Sequence, residues 1–423
     1  MNFTNYCIIT NRVSSLGGAQ LYTLRRSRHL INKGVKLCII VTDDSDFILK
    51  ENFEGIPILK LAYLVNPPSL YSEKKVTTII QNIKLFISEV ISNSSELVIE
   101  SHHPFLSIWG EIIAASLKCK HIIYFLSEPD LSSNSFHPFK EYFIWKWKNQ
   151  QLIGISNQSL KIIFGLEYQP DYNIYVNVPF DTSEFAEITK PLFLDAIEKD
   201  AFVIGTISRL AKPYVKLLIE NVLELSSKYN SRKFHLIIGG NDVNKSILPF
   251  LKQKYGKGNH NLTISFPGYL NPIGKDFFDH IDVFVGMGTA AVNSISQNCA
   301  TITIDPENNN KASGIFGLTN NNFAYSESGI YYSTIELIES ILNNDSLKQK
   351  AREMGFSLFN KEFSLNACMK KLDKTIYSSK ADSQDWDLGY FFRIYARMAS
   401  LYSRVTSSIY LHFMSLTNIL RKK

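Results

Sequence analysis

The sequence predicts an α/β chain of two doubly wound domains, each a parallel sheet covered by helices. Three observations predict it. Short apolar runs alternate with helix-length segments through both halves of the 423 residues, as parallel strands buried on both faces require. Proline and charge gather between the halves over Val178–Ala201, where Pro179 and Pro191 mark a linker. A glycine-rich turn follows a strand in each half, at Gly17-Gly18 and at Gly286-Met287-Gly288.

The first half is expected to hold strands at Tyr6–Thr10, Lys36–Thr42, Ile56–Leu61, Leu97–Ser101, His121–Phe125 and Leu152–Ile155. Helices are expected between them at Ala19–Lys33, Ser72–Ser92 and Leu106–Leu117. The second half repeats the pattern. Its strands are expected at Phe202–Ile207, Phe234–Ile238, Leu262–Phe266, Asp282–Val285 and Thr301–Ile304, with helices at Val215–Lys228 and Thr289–Gln297. A chain of this length exceeds one ordinary core, and two successive doubly wound units imply one sheet in each half. Asn308–Asn310 and Asn320–Asn322 read as loops.

Composition is that of a globular chain, 45% hydrophobic and 20% charged. A net charge of +6 suits anionic ligands such as nucleotide diphosphates, or an anionic membrane surface. No run of Lys and Arg interleaved with aromatics is present, so no nucleic-acid partner is expected. The five cysteines are far apart and lack metal-ligand spacing, which favours reduced thiols and a cytoplasmic location. Met1–Thr10 lacks the basic and apolar segments of a secretory signal, and no apolar run is long enough for a transmembrane helix.

Four places carry candidate chemistry. Ser14–Gln20 links the first strand to a helix, and its glycines let backbone N–H groups approach a phosphate or sugar oxygen; a plain tight turn is the alternative. Glu100-Ser101-His102-His103-Pro104 ends a strand, where ligands of open parallel sheets gather, so His102 or His103 can meet a hydroxyl or phosphate or serve structure alone. Arg209 and Lys212 follow the strand Phe202–Ile207 and suit a diphosphate, the alternative being a solvated surface pair. Gly286-Met287-Gly288-Thr289 opens a helix and supplies free backbone donors beside those cations.

The segment after Tyr377 differs. Ser378–Asp385 is polar, and from Trp386 a helical pattern rich in Phe, Tyr, Ile and Leu sets in. Arg393, Arg397 and Arg404 fall within about 40° of one another at about 100° per residue. That face suits a membrane surface or packing against protein.

In order and spacing from Ile8 to Tyr377 these pieces resemble the retaining glycosyltransferases often called glycosyl transferases group 1, of GT-B fold. Gly17-Gly18-Ala19-Gln20 is similar to the family's N-terminal glycine turn, and Val98–His102 to its strand ending in His. Val176-Asn177-Val178, with Asp181 and Phe185, resembles the entry to the linker. Ile204–Leu210 with Lys212 resembles the Arg-Leu…Lys motif that holds the donor diphosphate; the spacing is short, which makes Lys216 the fallback. Ile237–Gly240 and Phe266–Tyr269 resemble the next two strand ends, and Asp282–Thr289 the donor loop. Its Gly-Met-Gly-Thr form is similar to that of bacterial enzymes assembling surface polysaccharides.

The resemblance implies two Rossmann-like domains with an interdomain cleft: residues 1–185 for the acceptor and 198–360 for the donor. A helix at 361–377 would cross back to the first domain, and 386–423 would form an amphipathic extension. It further implies transfer of a sugar from a UDP- or GDP-type donor to a glycan or lipid-linked acceptor, without a metal or other cofactor. The site residues carried over are Gly17, Gly18, His102, Arg209, Lys212, Gly240, Tyr269, Gly286, Met287, Gly288, Thr289 and Asn293. Transfer by catalysis would centre on Gly18, His102, Arg209 and Lys212. A cytoplasmic enzyme, peripheral on the inner membrane face through 386–423, would meet such an acceptor. Two departures stand out. The family's paired glutamates are replaced by Val285 and Asn293, and Ser127-Glu128 stands where many members place a His. A non-catalytic binding or scaffold subunit is therefore the alternative. A nicotinamide dehydrogenase is disfavoured because the first turn lacks G-x-G-x-x-G spacing.

Overall fold

The computed structural model describes residues 4–13, 18–43, 53–91, 96–126, 140–156, 160, 175–185, 192–242, 245–270 and 273–379. They form two compact units. The first takes in the described residues up to Val178 and those from Cys368 on; the second runs Pro179–Ala367.

The first unit alternates strands and helices in sequence. They are β1 (Asn5–Thr10), α1 (Gly18–Asn32), β2 (Lys36–Val41), β3 (Ile58–Lys60), α2 (Glu73–Val90), β4 (Leu97–Ser101), α3 (Pro104–Leu117), β5 (Lys120–Phe125), α4 (Lys140–Lys148) and β6 (Leu152–Gly154). The sheet is parallel, in the order β3-β2-β1-β4-β5-β6. Strand order reverses at β1 and β4, where Ile9 lies beside Ser101, so the ends of these two strands flank the switch-point crevice. Cys7, Ile9, Ile99 and Ile123 face one cover layer with Trp109 and the Ile stripe of α2. All six residues of β1 are buried, as a strand covered on both faces must be.

The second unit repeats the plan with β7 (Phe202–Ile207), α5 (Pro213–Lys228), β8 (Phe234–Gly239), α6 (Ile247–Tyr255), β9 (Leu262–Gly268), α7 (Lys275–Asp279), β10 (Val283–Gly286), α8 (Thr289–Ser296) and β11 (Ala300–Asp305). Then come β12 (Lys311–Ile315), α9 (Thr334–Leu342) and α10 (Asp345–Leu358), followed by α11 (Leu365–Ser378), which from Cys368 on belongs to the first unit. The sheet order is β12-β11-β10-β7-β8-β9, and the reversal falls between β7 and β10. Alternate residues face opposite layers: Ile204, Leu236 and Val285 meet one cluster, while Val203, Ile237 and Phe284 meet the other.

Two features depart from the sequence reading. Lys311–Ile315 is an edge strand, antiparallel to β11, where no strand was expected. Asn308–Asn310 makes the tight turn into it, with Asn309 at φ 52° and Asn310 at φ 57°, a left-handed pair that asparagine tolerates. Pro179–Phe185, read with the first domain, belongs to the second unit, because the Phe180 N–H donates to the Phe363 carbonyl at 2.8 Å and its ring packs on Phe359.

A polar cluster lies inside the first unit. Glu111 is bound by Lys146, by Tyr142 Oη at 3.1 Å and by His121 Nδ1 at 2.8 Å, and His121 Nε2 faces Ser101 Oγ at 2.8 Å. The Ser–His–Glu order mimics a hydrolase triad, yet Ser101 and His121 are 0% exposed and Glu111 1%. No substrate can reach it. Burial and Lys146 push His121 down to about 4, so the ring is neutral at pH 7. Among the described residues no helix is long and apolar enough to cross a membrane.

Helix α11 joins the first unit through charge. Asp373 accepts from Arg26 Nη1 at 2.7 Å, His29 Nε2 at 3.1 Å and Lys33 Nζ at 3.0 Å, and Lys120 Nζ donates to the Ile376 and Ser379 carbonyls at 2.9 and 3.1 Å. Burial would raise the Asp373 carboxyl, but His29, Arg26 and Lys33 outweigh it and hold it well below the usual carboxylate range. A depressed carboxyl stabilises above its unfolded value and loses that stabilisation as pH falls through the folded value. Asp373→Asn is expected to cost about 2 kcal/mol at pH 7 by urea unfolding. The gap from the parent should narrow once pH drops below about 4.

Candidate functional site

The second unit gathers cations and glycines at its switch point. After β7 the chain turns, with the Ser208 N–H on the Gly239 carbonyl at 3.0 Å and the Leu210 N–H on the Asn241 carbonyl at 3.1 Å. Arg209 is exposed in this turn, and Lys212 caps α5, with Pro213 as the first helical residue. Lys212 Nζ donates to Met287 Sδ at 3.1 Å. A thioether is a weak, uncharged acceptor and leaves the ammonium's charge uncompensated. Neither Arg209 nor Lys212 has a carboxylate partner among the described residues. Burial, and then Arg209, lower the Lys212 pKa from its ordinary value. Lys216, the fallback, is an exposed residue of α5 paired with Glu220 at 3.8 Å, one turn on.

Glycine is required at the surrounding turns. Gly240 has φ 153°, and a Cβ there would overlap the Ser208 carbonyl oxygen. Gly288 has φ 64°, caps α8 and donates its N–H to the Phe323 carbonyl at 2.9 Å. A Cβ at Gly286 would overlap the Phe284 ring. Thr289 opens α8, whose first N–H groups have no partner within the helix. Tyr269 follows β9 and is 55% exposed. Arg209, Lys212, Gly240, Tyr269 and Gly286–Thr289 thus lie after the carboxyl ends of β7, β8, β9 and β10, strands adjacent in one sheet. Such an edge, with two cations that no carboxylate compensates among the described residues and a helix N-terminus, has the chemistry to hold an anion. Val285 sits in the core of β10 at 0% exposure, and Asn293 is buried on α8 with Oδ1 3.4 Å from Ser296 Oγ. No carboxylate stands at either position.

In the first unit, Gly18 begins α1, whereas Gly17, Ser127, Glu128 and 386–423 lie outside the described residues. The two histidines after β4 separate. His103 caps α3, its Nδ1 accepting the Phe105 N–H at 3.3 Å. His102 Nε2 lies 2.6 Å from Glu100 Oε1, and its side chain is 4% exposed. Glu100, Tyr6, Tyr22 and Arg26 surround that bond and were not singled out from the sequence. A lone carboxylate within the apolar run Leu97–Ser101 was the available signal. Among the described residues no three His, Cys, Asp or Glu side chains gather as a metal would need.

No protein-family model matches the chain, and no curated protein matches it in sequence. Solved structures do match it in fold. A glycosyltransferase from Rickettsia africae ESF-5 aligns with a TM-score of 0.63 at 16% identity, over 90% of this chain and 100% of that one. Anabaena Alr3699/HepE in complex with UDP gives 0.63 at 13% identity, over 88% and 100%. Sucrose-phosphate synthase from Thermosynechococcus elongatus gives 0.55 at 11% identity, over 89% and 100%. The chain therefore has the GT-B fold, two Rossmann-like units of parallel sheet and helices.

The depressed Lys212 gives the anion site a pH signature. Its charge is present below its pKa and lost as pH rises through it. Calorimetric affinity for inorganic pyrophosphate is expected to fall as pH rises, with the fall setting in below the ordinary lysine range. Lys212→Met should flatten that fall; an unchanged slope would remove Lys212 from the site.

Proposed function

We propose that the chain is a glycosyltransferase that takes its sugar from a nucleotide-diphosphate donor held by the second unit. The observation that carries this reading is the pair of uncompensated cations, Arg209 and Lys212, beside the Gly286–Thr289 turn. Arg209 and Lys212 would bind the two phosphates. As the glycosidic bond breaks, negative charge grows on the leaving diphosphate, and preorganised cations and N–H groups stabilise it without reorganising. Gly240 and Tyr269 would border the nucleoside, Met287 would hold Lys212, and Asn293 would offer a neutral hydrogen bond toward the ribose. Gly17, Gly18 and His102 of the first unit would meet the transferred sugar.

Structures of the same fold lend support: HepE has been solved with UDP, with UDP and glucose, and with UDP-glucose. UDP or GDP is the proposed leaving group, with retention of configuration and no metal. A hexose is the proposed sugar, and a glycan or lipid-linked acceptor of bacterial surface polysaccharide the proposed acceptor. Work on a lipid-linked acceptor would suit a protein at the inner face of the cell membrane, with 386–423 as the contact.

A second reading is a non-catalytic binding subunit. Val285, buried in β10, and Asn293 favour it, since neither supplies the carboxylate that the resemblance leads one to expect.

Thermal denaturation with UDP, GDP, ADP and CMP tests the first reading. One diphosphate is expected to raise the melting temperature, and Arg209→Ala to weaken its binding by tenfold or more, about 1.4 kcal/mol. No shift with any nucleotide would overturn the donor site. A shift without sugar release from any nucleotide sugar would favour the binding subunit.

A further inference from the structure

Met287 follows β10 between two glycines, so its side chain is the one that the Gly286–Gly288 turn presents. Its thioether lies against the proposed phosphate cation: Lys212 Nζ donates to Met287 Sδ at 3.1 Å. The side chain packs on the core of the second unit and stays partly open to solvent.

A sulfur in that place has two chemical states. As a thioether it is uncharged and accepts only weakly, so an arriving anion displaces it from the ammonium at little loss. As a sulfoxide it carries a polar oxygen. A hydrogen bond from an ammonium to such an oxygen is charge-assisted and strong. The lysine stem is flexible, and its head can draw back to meet the oxygen.

Other targets for an oxidant are shielded or lie on another element. All five cysteines are buried, and burial pushes the Cys119 and Cys299 thiols up to about 12, which keeps them as unreactive thiols. Met369 also accepts from a cation, Arg26 Nη1 at 3.6 Å, but is 0% exposed. Met354 is exposed, on α10. Met1, Met398 and Met414 lie outside the described residues.

We infer that Met287 is a modification site: a hydroperoxide oxidises its thioether to the sulfoxide, and the new oxygen holds the Lys212 ammonium against an incoming diphosphate. The sulfur gains the oxygen and is oxidised; the peroxide O–O bond breaks, and the peroxide leaves as water or an alcohol. Oxidation would close the anion site, and reduction of the sulfoxide would reopen it. This rests on the reading of Lys212 as a ligand of the donor phosphates.

The test uses the full chain treated with hydrogen peroxide, with inorganic pyrophosphate as the probe. Peptide mass spectrometry locates the added oxygen. Calorimetry should show pyrophosphate affinity in the oxidised parent lower by about fivefold or more. The two methionine sulfoxide reductases, one for each epimer, should restore it, whereas dithiothreitol, which reduces disulfides, should not. Met287→Leu removes the sulfur. Whatever its own starting affinity, peroxide should leave that affinity within about twofold, although Met354 is still oxidised. A further readout needs no anion: reductive methylation of Lys212 should slow on oxidation of the parent and not of Met287→Leu.

An oxidised parent, its Met287 sulfoxide verified, that binds pyrophosphate as tightly as the reduced protein would overturn the inference. So would an equal loss in Met287→Leu, or a Met287 left intact while Met354 is converted. A reduced parent that binds no pyrophosphate would overturn the donor site itself, and with it this control of the site. The binding of the reduced parent thus distinguishes the two failures.

Discussion

Both sheets are parallel, apart from the antiparallel edge strand β12, and are covered on both faces, and that constraint decides where chemistry can occur. Strand interiors such as Cys7–Ile9 and Val283–Val285 are closed to water and admit only apolar side chains or fully satisfied polar ones. Backbone and side-chain polarity reaches solvent where strands end and helices begin. At a switch point neighbouring helices leave on opposite faces and open a crevice. Apart from Gly286, which ends β10, and Asn293, the described residues of the proposed donor site follow the end of a strand or open a helix.

Charge compensation separates the parts that hold the molecule together from the part proposed to bind. Asp373 gathers Arg26, His29 and Lys33; Glu111 gathers Lys146 and His121; Asp282 gathers Lys348 at 3.1 Å. In each, charge is met by charge at short range, as burial demands. Arg209 and Lys212 stand apart: two like charges share one turn, and among the described residues the ammonium of the more buried one meets only a sulfur atom. Leaving cations unmatched at a partly buried site costs stability, and an arriving anion recovers it.

Much of the fold was legible because period-two burial and glycine punctuation are local signals. Phe202–Ile207 and Leu97–Ser101 were placed with the bounds the structure shows, since each opens on three consecutive apolar residues, Phe202-Val203-Ile204 and Leu97-Val98-Ile99. The edge strand Lys311–Ile315 was not, because its Ala, Ser and Gly carry no strand signal and its pairing depends on an asparagine turn. Arg209, Lys212 and the Gly286–Thr289 turn could be found as short motifs. The Glu100 network could not be assembled in advance, because Tyr6, Tyr22, Arg26 and Glu100 meet only through the packing of α1 on β1 and β4. Likewise, spacing alone left Lys212 and Lys216 as rivals. The start of α5 at Pro213 puts Lys212 at the helix cap and Lys216 one turn on, exposed and paired with Glu220.

The most direct test is a crystal structure of the full chain grown with saturating UDP. The expected result is a diphosphate within hydrogen-bonding distance of the Arg209 guanidinium, the Lys212 ammonium and the first N–H groups of the helix Thr289–Ser296, with Lys212 released from Met287. Nucleotide bound elsewhere, with Lys212 still on the Met287 sulfur, would contradict the account.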